Sequence, residues 1–124
     1  PRDLYARPAN TFVARFIGTP PMNLIPAHAL PTQGALPDGT LLGVRPEDVS
    51  LGAEGIPARL VGVEYLGADQ LATFQIGTDA APARILARLG ARDALGAGAH
   101  HLHWPRDAQH QFGPDGQRID TLTA

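Results

Sequence analysis

Turn-forming residues recur every eight to twelve positions from Gly34 onward, and that spacing leaves room for short strands rather than for a long core helix. Gly34, the run Pro37-Asp38-Gly39, and the glycine-bearing stretches 52–55, 67–69, 77–79, 96–98 and 113–116 set the rhythm. Strands are expected over 22–30, 40–44, 58–65, 71–76, 83–88, 100–104 and 118–122. Leu71, Thr73 and Gln75 interleave with Ala72, Phe74 and Ile76, so one face of that strand is apolar and the other polar. Segment 87–97 admits a short helix instead, against which Gly90 and Gly96 weigh. The expected class is all-β, a sandwich or a barrel.

The opening segment follows a different period. Phe12, Val13, Phe16 and Ile17 form one stripe of a 3.6-period helix over 9–17. Pro8 suits a helix start, Gly18 can close the helix in a left-handed conformation, and Pro20-Pro21 prevents continuation. The chain therefore divides into a linker helix at 1–21 and a β domain at 22–124, with Phe12 and Phe16 expected to cover a face of that domain.

Composition removes several function classes. Cysteine is absent, which excludes disulfides, thiolate zinc sites and a cysteine nucleophile. All ten basic residues are arginine, so a GxxxxGK phosphate loop and lysine chemistry are impossible within this chain. The abundance of Ala, Gly and Arg without Lys fits a GC-rich genome. Arginines are scattered singly, the net charge is −2 and aromatics make up 6%, a poor basis for the cationic, ring-lined groove of a nucleic-acid binder. No apolar run approaches the ~20 residues of a membrane helix, and a start at Pro1 reads as a piece of something longer. The sole serine, Ser50, lacks a nucleophile-elbow setting.

Individual residues admit structural and functional readings. Arg45 and Glu47 would share one face of a strand, able to pair with each other or with a neighbouring domain, while Pro46 between them marks a strand edge or end. Glu64-Tyr65-Leu66-Gly67 ends one strand and turns into the next, with Gly67 free to take a positive φ. His101 and His103 would project to one side of a strand, a spacing available to a metal, with His110 a little further on, but there is no H-E-x-x-H, no cysteine and no nearby pair of carboxylates beyond Asp107; no metal is expected, with these two as the weak candidates. Trp104 reads as a lid on the core. Asp38, Asp79, Asp93 and Asp115 sit in turn contexts, which local hydrogen bonding explains.

Four stretches together resemble a known family. Residues 4–10 with Phe12-Val13-Ala14, Phe16-Ile17-Gly18 and Pro21-Met22-Asn23, then 43–49 (GVRPEDV), 63–69 (VEYLGAD) and 110–119 (HQFGPDGQRI), are similar in order and spacing to the segment following the nucleotide-binding domain in ATP-binding subunits of carbohydrate ABC importers of the maltose and glycerol-3-phosphate type. The resemblance implies OB-like β-barrels, paired in the family and known as the transport-associated OB (TOBE) module. It implies no cofactor in this piece, and ATP and Mg in the parent protein. The implied partners are a second copy of the same subunit, the transporter membrane subunits, and a regulatory protein or small anion. The implied location is the cytoplasmic side of a bacterial inner membrane.

On that likeness the interdomain or dimer candidates are Phe12, Phe16, Met22, Asn23, Arg45, Glu47 and Glu64. The anion-binding candidates are Arg45, Arg84 and Arg118, and the structural turn residues are Gly18, Pro46, Gly67 and Gly116. A regulatory and dimerisation domain is thus the expected function, with a small-anion or metabolite sensor and an oligonucleotide-binding OB domain as alternatives. Glycerol-3-phosphate is the substrate expected for the parent, from the closeness of the 16–23 run.

Overall fold

The structure, a computed structural model, describes residues 7–11, 21–30, 39–78, 81–93, 95–96 and 99–119. Nine strands are described: β1 (Asn23–Pro26), β2 (Leu41–Val44), β3 (Ser50–Gly52), β4 (Ile56–Leu66), β5 (Asp69–Thr78), β6 (Ala81–Gly90), β7 (Ala99–His103), β8 (His110–Phe112) and β9 (Arg118–Ile119). They form two antiparallel sheets, one ordered β1-β2-β8-β9 and the other β3-β7-β4-β5-β6. The all-β class expected from the turn rhythm, and the OB-like form of it that the family resemblance implies, agree with the fold observed.

The alternation over 71–76 does what it predicts. Ala72, Phe74 and Ile76 are buried while Leu71, Thr73 and Gln75 are only half-buried. Across the ladder Phe74 faces Ile85 and Ala72 faces Ala87, both without exposure, so β5 and β6 present one continuous apolar face. Ile25, Leu42 and Val44 come to the same core from the other sheet. A smaller cluster, Met22 with Phe112, packs with Leu24 and Leu41. Gly43 lies beneath it: a Cβ there would meet Met22 Sδ at 2.5 Å and Phe112 Cε2 at 2.8 Å.

Several expectations need correction. The strand expected over 22–30 stops at Pro26, which has no N–H of its own to give the ladder, and a 3₁₀ turn over Ala27–Ala29 follows. Arg45 and Glu47 do not share a strand face. Proline favours the first position of a helical turn, and Pro46–Asp48 is such a turn, which buries Arg45 and exposes Glu47. Segment 87–97 is strand up to Gly90 rather than helix. Two three-residue strands, β3 and β8, fall where none was expected.

Pro8 does not begin a helix: Asn10 bridges Gln117, and Ala9 accepts a hydrogen bond from the Arg118 amide at 3.0 Å, so the chain at 8–10 lies along the β8–β9 turn. Phe12, Phe16, Gly18 and the rest of the expected linker helix lie outside the described residues, as do Asp38 and Asp79. The expected turn residues Gly67 and Gly116 have φ of 75° and 81°.

Candidate functional site

The β8–β9 hairpin and the end of β2 bring basic groups together. Gly116 turns the hairpin back, the amide of Gln117 is held by Asp115 Oδ1 at 3.0 Å, and Arg118 comes opposite Phe112. Arg118 then reaches three neighbours. Its Nε donates to the Pro8 carbonyl at 2.7 Å, its Nη2 donates to His110 Nδ1 at 2.8 Å, and its guanidinium lies 5.7 Å from the Phe112 ring centroid. A guanidinium can only donate, so His110 Nδ1 is an acceptor and the imidazole is neutral, its proton on Nε2. Burial, then Arg118, Arg45 and Arg7 in turn, push His110 down to about 4.

Arg45 enters from the turn after β2. Burial lowers its guanidinium below the ordinary value, and the nearby Asp48 carboxylate acts the other way. Asp48 itself is raised, by burial and by Asp107, with Arg45 opposing. Three guanidinium groups thus act on one neutral imidazole, beside a pair of carboxylates. The chemistry this arrangement supports is binding of an anion or an acidic group by charge-assisted hydrogen bonds.

The remaining sequence candidates are placed as follows. Arg84 is exposed on β6 opposite Gln75, and it is not among the groups acting on His110. Met22 and Asn23 are buried, and Asn23 bonds to Leu86 of β6. Glu64 is exposed on β4, and Glu47 is exposed in the turn after β2.

His101 and His103 share one face of β7, at i and i+2. Among the described residues no three His, Cys, Asp or Glu side chains gather as a metal would require. His100 turns to the core side and meets Phe74 edge-on, with centroids 5.5 Å apart. Trp104 packs on the core and donates to Gln109 at 3.0 Å, the lid expected of it.

Arg7 and His110 are the members of the basic corner that sequence reasoning missed. A signal existed: His110 and Arg118 flank the turn at 113–116, and a tight hairpin brings such positions side by side.

A profile of the TOBE domain family matches residues 42–112, more than half of the sequence and the span from β2 to β8. The chain belongs to the TOBE domain family. This TOBE chain is 34% identical, over 98% of its length, to the sn-glycerol-3-phosphate import ATP-binding protein UgpC of Bordetella avium, of which it covers 40%. It is 48% identical over 64% of its length to the UgpC of Rhodopseudomonas palustris, covering 24% of that protein. To the UgpC of Salmonella choleraesuis it is 34% identical over 96% of its length, covering 39%. The TOBE chain therefore spans at most about two fifths of the length of these relatives. Among its described residues no helix is long and apolar enough to cross a membrane.

Proposed function

We propose that this TOBE chain is the regulatory and dimerisation domain of the ATP-binding subunit of a bacterial ABC importer for a sugar or for sn-glycerol-3-phosphate. The observation that carries the reading is the alignment of nearly the whole chain with one part of import ATP-binding proteins. The absence of lysine adds that a GxxxxGK loop has to lie elsewhere in the parent. ATP and Mg belong to that other part. The partners are a second copy of the subunit and the transporter's membrane subunits, at the cytoplasmic face of the inner membrane. This chain binds and assembles, and catalysis belongs to the parent.

The test compares the full-length subunit with a version lacking these residues. Nucleotide hydrolysis is expected to persist in the shortened subunit, while self-association weakens and control of transport in reconstituted vesicles is lost. Equal self-association and equal control in the two would reject the reading.

The basic corner favours a second reading, in which the domain also senses a small oxyanion. Arg7, Arg45 and Arg118 around His110 carry it. Calorimetric titration of the chain with phosphate, glycerol-3-phosphate and molybdate is the check; heat that disappears on Arg118→Ala supports it, and flat traces for all three anions dismiss it.

A further inference from the structure

Strand β4 is longer than one of its neighbours. Among the described residues it pairs with β7 through Ile56–Arg59, with β7 running from Ala99, opposite Arg59. It pairs with β5 from Arg59 to Leu66. From Leu60 to Leu66, among the described residues, no strand covers the other edge. An open edge of this kind presents a row of backbone donors and acceptors to any strand that can align with it.

The side chains along this edge carry the same message. The register shifts between Leu60 and Gly62, so Val61 is an extra residue. Beyond the bulge Val63 stands opposite Ala72 and Tyr65 opposite Gln70. Ala72 and Gln70 are 0% and 2% exposed, on the inner face of the sheet, yet Val63 and Tyr65 on that face are 37% and 70% exposed. The inner face thus continues past the cover that the rest of the domain gives it. Glu64, one step away, points outward with Arg59 and Gly62, because the bulge resets the alternation.

We infer that the 60–66 edge of β4 is where two copies of this chain join, as antiparallel strands about a twofold axis at Val63. The inference rests on the reading of the domain as an assembly module, and it names the surface. Antiparallel strands related by a twofold axis must oppose residues of the same face, so the axis falls on a residue.

Three positions compete for the axis. Centring on Glu64 sets that carboxylate against its own copy. Centring on Gly62 leaves little overlap, since Arg59 is already engaged with β7. Centring on Val63 pairs Val63 with itself and Leu60 with Tyr65 of the other copy on the inner face, and Gly62 with Glu64 on the outer face. In that register Glu64 lies diagonally across from Arg59 of the other copy, an opposite-charge pair within reach of long side chains.

A chain without cysteine makes the test direct. Val63→Cys places two sulfurs on the axis, where antiparallel Cα atoms sit ~4.5–5.5 Å apart, within disulfide range. Val63→Cys is expected to cross-link to a dimer on mild oxidation, far faster than the exposed control Ser50→Cys. Sedimentation is expected to show a concentration-dependent dimer, weakened about tenfold or more by Val63→Lys, an inward charge on an edge strand. Unchanged near-ultraviolet circular dichroism checks that Val63→Lys is folded.

Dimerisation of the parent chain and of Val63→Lys to equal extent, with Val63→Cys linking no faster than the control, overturns the β4 edge and leaves assembly by another surface. A chain monomeric at every concentration, with no preferential link at Val63→Cys, overturns both readings.

Discussion

The side-chain amide of Asn23 binds the backbone of Leu86 in both directions, Nδ2 donating to its carbonyl at 2.8 Å and Oδ1 accepting from its amide at 2.8 Å. An asparagine at the start of β1 thereby substitutes for a strand along the edge of β6, and it joins the two sheets at a buried position. Asn23→Ala removes both bonds and strands two backbone groups, at an expected cost of about 2–3 kcal/mol. Asn23→Asp keeps the acceptor but loses the donor, so it is expected to be at least as damaging. Urea unfolding provides the measurement; a loss below ~0.5 kcal/mol for Asn23→Ala would mean that water replaces the pairing.

Gly43 tests the smaller apolar cluster. Any side chain there drives into Met22 and Phe112, both of which are buried. Gly43→Ala is expected to destabilise by about 1–3 kcal/mol through overpacking. Pairing it with Met22→Ala should recover part of the loss, which a double-mutant cycle in thermal or urea unfolding reads directly. Additive losses would show that the contact at Met22 Sδ is not what limits residue 43.

His110 makes stability depend on pH. Its folded-state value of about 4 lies below the ordinary 6.5, so as pH falls the unfolded chain takes up the proton first. The contribution is complete above about pH 6.5 and is lost as pH falls towards about 4, with a discounted size of about 1–2 kcal/mol for a half-buried ring. Asp48 is raised, so its effect has the opposite sign: protonation at acid pH relieves a buried carboxylate. His110→Asn keeps an acceptor for Arg118 and is expected to flatten stability between neutral pH and pH 5. An equal slope in variant and parent would place the dependence elsewhere.

Arg118→Lys preserves charge but not the fork that serves Pro8 and His110 at once. The expected cost is about 1–3 kcal/mol. The amide of Thr11, bonded to the Gly116 carbonyl at 2.9 Å, should lose hydrogen-exchange protection more than the amides of β5 and β6. Protection that falls equally everywhere would indicate global loss instead.

How much of this the sequence disclosed depends on how local each cause is. The strand through Phe74 was legible because alternation and flanking glycines lie within ten residues of it. The class of fold and the family followed from the same turn spacing and from the ordered runs at 43–49 and 63–69. Ser50–Gly52 and His110–Phe112 were missed because three residues carry no period; they are strands only because His101–His103 and Leu41–Gly43 lie alongside.

The site residues follow the same division. Arg45 and Glu47 were misplaced because i, i+2 spacing was read as strand, although Pro46 was a local warning of a turn. Asn23 looked like a surface candidate, and nothing nearby in sequence points to its partner, 63 residues away. Glu64 and Gly67 came out at the expected strand end and turn. The open side of β4, by contrast, depends on where β7 begins, which no residue of β4 encodes.

The four-stranded sheet draws β1 and β2 from one end of the chain and β8 and β9 from the other, with the β4–β5–β6 meander between them. On a ribosome, the meander can zip up while synthesis continues, since its partners are near neighbours in sequence. Leu41 and Leu42, however, must wait for Phe112 and Gln111 to be made. The two ends are thus sewn together last, so a ribosome that stalls before residue 110 releases a chain with half of its architecture unclosed.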